Sequence, residues 1–340
     1  MIRIPTAEAT STMARALVAR GFSPARAADC AAMFADASLD GIYTHGLERF
    51  PRFARDIELG YVDPAAEPIL KAAFGAWERW DGRLGPGNLN ARASMARAIE
   101  LARSGGMGCV ALANTNHWMR GGAYGLQAAD SGCAAIAWTN TKPNLPAWGS
   151  REPVLGNNPL VIAVPAEGGH VLLDMAMSQY SYGKLEAAAS RGEETSAPCG
   201  WDDQGRLTRD PKEVLASRRP LPIGFWKGSG LSLLLDLVAT IISGGDSVGA
   251  VGSRGDERGL SQVFVAFDLS RLPDSAVRAA VSEMTERLAG AAPSEDGGRA
   301  RYPGEQRLAI RAENLEEGIP MREELWEEIR GLAPSSTRSP

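Results

Sequence analysis

Three histidines occur in the 340 residues, and two of them stand in segments dense with polar, glycine and aromatic side chains. The first segment is Tyr43-Thr44-His45-Gly46-Leu47-Glu48-Arg49. An imidazole whose ordinary pKa is near 6.5 gives or takes a proton around neutral pH. Arg49 offers a planar fork that holds a carboxylate through two hydrogen bonds. If both residues are helical, their spacing puts them on one face. A helix start would favour a neutral imidazole and attract an anion. The plainer alternative is a capping histidine beside a surface arginine. The second segment is Asn114-Thr115-Asn116-His117-Trp118-Met119-Arg120-Gly121-Gly122, directly after a β-like run at 109–113. Strand ends are common places for chemistry. Here the asparagines can order the loop, and the glycine pair can let backbone approach a ligand. A structural turn with His117 bonded to backbone is the competing reading. His170 sits at a strand entrance and reads as structural.

Three further segments carry polar groups at element ends. Trp138-Thr139-Asn140-Thr141-Lys142-Pro143 continues to Gly156-Asn157-Asn158-Pro159, and Lys142 there can meet an oxyanion. Asp174-Met175-Ala176-Met177-Ser178 follows a β-like run. Phe225-Trp226-Lys227-Gly228-Ser229-Gly230 leads into an apolar helix, where a lysine and free backbone N–H groups suit a phosphate. Chemistry alone gives Gly304-Glu305 no meaning.

Composition bounds the class. The formal net charge is -5, with 44% hydrophobic and 23% charged residues, an ordinary soluble balance. No basic stripe suggests nucleic acid. Cys30, Cys109, Cys133 and Cys199 form no CxxC and read as reduced, buried small hydrophobes. So few scattered cysteines and histidines argue against a metal centre. No signal-like stretch opens the chain, and no apolar run is long enough to span a bilayer, so a cytoplasmic protein without membrane contact is expected. No GxGxxG follows a strand, and no P-loop, HExxH or GxSxG occurs.

The positioning elements fall into regions. Residues 1–70 read as helical. Thr6 is a candidate N-cap, Gly21 a stop, Ser23-Pro24 a cap followed by a first-turn proline, and a third helix covers 47–59. Residues 71–270 alternate helices and strands: a helix from the 85–88 turn to about 104, strands at 109–113, 134–139, 160–164, 171–175 and 263–268, a helix at 125–130, and a buried apolar helix at 230–243. Residues 271–330 return to charged helices that pack with the N-terminal ones, and 331–340 read as a flexible tail. The fold class is mixed α/β.

The segments YTHGLERFPRF, NTNHWMRGGAYGLQAA, GNNPLVIAVP, DMAMSQYSYG and RRPLPIGFWKGSGLSLLLD together resemble the malate/L-lactate dehydrogenase family that is distinct from the Rossmann-type enzymes of those names. The resemblance spans nearly the whole chain. It implies a mixed, largely antiparallel sheet, a helical region drawn from both termini, and a homodimer with the active site near the interface. It further implies NAD as cofactor, NADH favoured over NADPH, and hydride transfer to the C2 carbonyl of a 2-oxo acid. FPRF, NHWMRGG, PAWG and FWKGSG point to the branch that reduces 2,3-diketo-L-gulonate. Sister activities on cyclic imino acids, ureidoglycolate, malate or lactate stay open, as does a non-catalytic nucleotide binder. By the same resemblance His45 is the proton donor and His117 positions or polarises the carbonyl, with the roles exchangeable. Arg49 holds the carboxylate. Read from the residues themselves, Thr44 or Asn116 can bond the oxygen, and Lys142, which stands where relatives carry a small or apolar residue, is a candidate substrate contact. Asp174, Met175, Ala176, Met177, Ser178, Gln179 and Tyr180 form one cofactor segment. Trp226 and Lys227 form a second, and Gly304, Glu305 and Gln306 a third. Arg218, Arg219 and Arg254 are candidates for a 2′-phosphate.

Overall fold

The computed structural model describes residues 1–293 and 298–334. It opens with a short strand, Ile2–Ile4 (β1), and three helices, Thr6–Val18 (α1), Pro24–Leu39 (α2) and Phe50–Glu58 (α3). Thr6 is the first helical residue, and the N-cap position falls to Pro5, which has no side-chain bond to give. Ser23 caps α2 as expected, its hydroxyl accepting from the Arg26 N–H at 3.4 Å. The ladder Ala27, Cys30, Ala31, Phe34 and Ala35 buries one face of α2 against Phe50 and Phe53 of α3.

The centre is a seven-stranded sheet. After the hairpin Ile69–Phe74 (β2) and Trp77–Asp81 (β3) comes a long helix, Gly87–Gly105 (α4), then Met107–Asn116 (β4) and Gly122–Asp130 (α5). Cys133–Thr139 (β5), Leu160–Val164 (β6) and Val171–Met175 (β7) follow. A small lobe holds Tyr182–Arg191 (α6), Gly200–Trp201 (β8), Leu207–Thr208 (β9) and Pro211–Ser217 (α7) around Leu185, Cys199 and Val214. Trp226–Ser243 (α8) and Val248–Ser253 (α9) lead back to Arg258–Asp268 (β10). The sheet order is β2-β3-β4-β10-β5-β6-β7; β3 and β4 run parallel and every other pair is antiparallel. This is the mixed, largely antiparallel sheet expected.

Alternating side chains serve the two faces. Val110, Leu112, Phe264 and Ala266 meet α4 and α5, whereas Cys109 and Val263 meet Ala239 of α8. The expectation that the apolar helix is buried is corrected. Its inner face packs on the sheet, with Asp236 accepting from Asn140 and the Val248 N–H. Its outer face leaves Leu231, Leu234, Val238 and Ile241 exposed, Ile241 at 72%. By length and composition alone α8 is apolar enough to cross a membrane, although Lys227 and Asp236 interrupt the apolar run.

The chain ends with Asp274–Ala289 (α10), Arg307–Glu317 (α11), Ile319–Met321 (β11) and Glu323–Leu332 (α12). β11 pairs antiparallel with β1, and Ile319, Met321, Trp326 and Ile329 join the core of α1–α3. The expected tail begins inside α12, where the Leu332 carbonyl accepts from Arg20 at 2.8 Å. Its residues 335–340 lie outside the described ones.

Candidate active site

His45 does not start a helix. It ends a single 3-10 turn, Tyr43–His45, after which the backbone reverses at Gly46 with φ -103° and ψ -129°. A second turn, Leu47–Arg49, then enters α3, so His45 and Arg49 share no helical face. The cause is close packing: a Cβ on Gly46 would lie 2.0 Å from Ser38 Oγ and 2.9 Å from the Phe34 carbonyl. Ser38 Oγ instead accepts the Leu47 N–H at 2.9 Å. The Thr44 hydroxyl lies 3.1 Å from His45 Nδ1.

His117 follows the last residue of β4. The Met119 N–H donates to its Nδ1 at 2.9 Å, which places the proton of the neutral ring on Nε2. Both amide protons of Asn116 are committed to the protein, to Leu84 O at 2.8 Å and Gly85 O at 3.1 Å. Asn116 therefore orders the loop and has no N–H left for a substrate oxygen. Gly121 and Gly122 make room for protein and not for a ligand. A Cβ on Gly121 would reach 2.7 Å from the Trp118 ring, and one on Gly122 3.0 Å from Asp174 Oδ2.

The rings of His45 and His117 stack, with centroids 5.7 Å apart and planes 22° from parallel. Beside them opens a cavity of about 190 Å³ whose lining includes Arg49, Arg52, Asn116, His117, Lys142 and Glu257. Four of the sequence-predicted residues thus line one cavity, and His45 reaches it through the stack. Burial, then the charges of Arg49 and Arg120, pushes His45 down to about 4. Burial, then Arg49, His45 and Arg52, holds His117 well below the usual imidazole value. Both rings are neutral at neutral pH in the free chain.

The three candidate cofactor segments converge along β7. Met177 and Gln179 pair by backbone with the segment leading to α8: the Ile223 N–H donates to Met177 O at 2.8 Å and the Gln179 N–H to Leu221 O at 2.7 Å. That pairing carries Trp226 and Lys227 beside the 174–180 stretch. The Leu172 N–H donates to Pro303 O at 2.9 Å, which sets Gly304 against β7 with φ +90°. Asp174 Oδ2 accepts the Gly122 N–H at 2.7 Å, joining this edge to the His117 loop.

The profile of the family described as malate/L-lactate dehydrogenase matches residues 4–330. The chain belongs to that family. It is 45% identical over 320 residues to a 2,3-diketo-L-gulonate reductase of Pasteurella multocida (strain Pm70), covering 94% of this chain and 96% of the relative. The fold superposes on a malate dehydrogenase of Pyrococcus horikoshii OT3 with a TM-score of 0.87 at 28% identity, covering 98% and 94% of the two chains. A malate dehydrogenase of Entamoeba histolytica shares the fold at a TM-score of 0.91 and 24% identity, covering 97% and 96%.

As a member of the malate/L-lactate dehydrogenase family, the chain is an NAD(P)-dependent 2-hydroxyacid dehydrogenase or 2-oxoacid reductase. The converged segments suit a dinucleotide by their donor chemistry: the Lys227 amine and the α8 N-terminus for phosphate, Ser178 and Gln179 for hydroxyl and amide groups. Sequence reading of this family member missed Arg52, Asp56 and Glu257, which also line the cavity. Arg52 carried a usable signal, lying one helical turn after Arg49. Glu257 carried none, because only the fold brings it to α3. Also missed was buried Asp40, whose carboxylate accepts from Arg120, Arg307 and Arg311.

Proposed function

We propose that this chain uses NADH to reduce the C2 carbonyl of a 2-oxo acid, with 2,3-diketo-L-gulonate the favoured substrate, as a cytoplasmic homodimer. The stacked pair His45 and His117 beside the half-buried Arg49 carries this reading. Arg49 holds the substrate carboxylate and so orients the adjacent carbonyl. The bound reduced nicotinamide supplies the hydride. Residues 174–180, Trp226, Lys227 and 304–306 hold the cofactor. Lys142, which makes no side-chain ion pair or hydrogen bond among the described residues, faces the substrate's polar end.

The proton comes from the histidine pair. Burial first, and the Arg49 charge after it, hold both rings neutral; a carboxylate on Arg49 offsets the second of these, so substrate raises their pKa as it binds. His45 then gives its proton to the carbonyl oxygen as negative charge builds there. His117 Nε2–H steadies the same oxygen. Thr44 supports His45 through Nδ1.

Two features favour NADH. Arg254 is paired with Asp246, and Arg219 donates to the backbone carbonyls of Asp202 and Asp203. Two of the three candidate 2′-phosphate ligands are thus occupied. The exposed leucines and Ile241 of α8 offer the apolar face for a second copy. The four free, buried cysteines suit a reducing compartment.

The test is an oxidation screen of NADH and NADPH with 2,3-diketo-L-gulonate, pyruvate, oxaloacetate, glyoxylate derivatives and a cyclic imino acid. The highest kcat/KM is expected for NADH with 2,3-diketo-L-gulonate. A preference for the cyclic imine overturns the substrate assignment.

A further inference from the structure

Glu257 is the one cavity-lining acid that touches Arg49, the proposed carboxylate holder. Its Oε2 lies 3.2 Å from Arg52 Nη2 and 3.5 Å from Arg49 Nη2, and the side chain is only 11% exposed. The turn that carries it is anchored on both sides. Arg258 sits 5.0 Å over the Tyr61 ring and 3.1 Å from Asp256 Oδ1, and its backbone pairs with Asn116. A bulge follows at Gly259, where φ is +74°. Glu257 is therefore held over α3 from β10.

The two contacts are unequal. Arg52 has the shorter one. Arg49 has the longer, and among the described residues its guanidinium makes no other hydrogen bond. A substrate carboxylate can take Arg49 while Glu257 stays on Arg52.

We propose that Glu257 is a specificity-determining residue: by occupying Arg52 it leaves Arg49 as the one arginine of the cavity free for a carboxylate and turns away 2-oxo acids whose second carboxylate would reach Arg52. This rests on the reading that Arg49 binds the substrate carboxylate. A second carboxylate entering this cavity meets Glu257, and like charges in a water-poor site repel strongly. Without Glu257, Arg52 becomes its partner.

The experiment compares kcat/KM for oxaloacetate and 2,3-diketo-L-gulonate with cofactor saturating. Glu257→Gln, nearly the same shape without the charge, should raise the oxaloacetate ratio by roughly tenfold or more, mainly through KM. Adding Arg52→Gln should remove the gain. Glu257→Asp, which keeps the charge, should keep the wild-type ratio. An unchanged ratio in Glu257→Gln, or an equal loss on both substrates, overturns the proposal. Arg49→Ala separates the two claims. Wild-type activity in that variant on every 2-oxo acid sinks the carboxylate-holder reading. A large loss there, with the Glu257→Gln ratio unmoved, sinks the Glu257 proposal alone.

Discussion

His45 and His117 stack face to face with ring centroids 5.7 Å apart, so a proton on either ring raises the cost of a proton on the other. Burial opposes protonation of both rings first, and the Arg49 charge adds to it. The apo site is therefore poised against protonation, and a substrate carboxylate on Arg49 eases the second of these barriers.

The pH dependence should show this directly. In the reduction direction kcat/KM reports the free enzyme, where His45 sits at about 4. It should fall by roughly tenfold per pH unit between about pH 5 and 8. The kcat profile reports the complex and should bend at a higher pH. In the oxidation direction the neutral ring is the base, so kcat/KM should stay level across that window. Identical bends for kcat and kcat/KM contradict substrate-assisted protonation.

His45→Ala should lower kcat for reduction by about 10²–10⁴-fold, the usual loss for a general acid. NADH fluorescence on titration should still change, because the proposed cofactor segments lie along β7. His117→Ala should lower kcat as well, and a loss larger than that of His45→Ala assigns the donor role to His117.

Asp40→Asn should destabilise the protein by about 3–5 kcal/mol, because it leaves charged arginines facing a neutral buried group. Burial pushes the Asp40 carboxyl up, but Arg120, Arg311 and Arg307 outweigh it and hold it below its usual value. Its stabilisation is present above the usual carboxylate pKa and lost as the pH falls through the lowered one. In denaturant melts the gap between wild type and variant should be smaller at pH 3 than at pH 7.

Gly46→Ala should cost about 1–3 kcal/mol and displace His45. The added Cβ meets Ser38 Oγ and also backbone atoms of Phe34 and Ser38. Ser38→Ala should therefore not restore activity, and full rescue contradicts the packing account.

Ile241→Lys places a charge on the exposed face of α8. Light scattering should show a monomer at concentrations where the parent is dimeric. A dimer unaffected by the change moves the interface elsewhere.

The strands at 160–164 and 171–175 were legible to the residue because short apolar runs are bounded by turn chemistry on both sides. The first hairpin was not. β2 is mostly exposed and β3 reads WERWD, so neither shows a strand period. The α8 reading failed because composition cannot tell a helix buried all round from one with an unpartnered apolar face. At the site, His45, Arg49, His117 and Lys142 stood in conspicuous segments. Glu257 reaches them only through the β10–β4 register, which no local pattern encodes.

The pairing of β1 with β11 has a consequence for biosynthesis. The core beneath His45 and Arg49 is incomplete until Ile319, Met321, Trp326 and Ile329 have left the ribosome. The N-terminal segment that bears these two residues is made first and consolidates last. Nascent chains stalled before β11 should leave the α1–α3 segment open to protease while the central sheet is already protected.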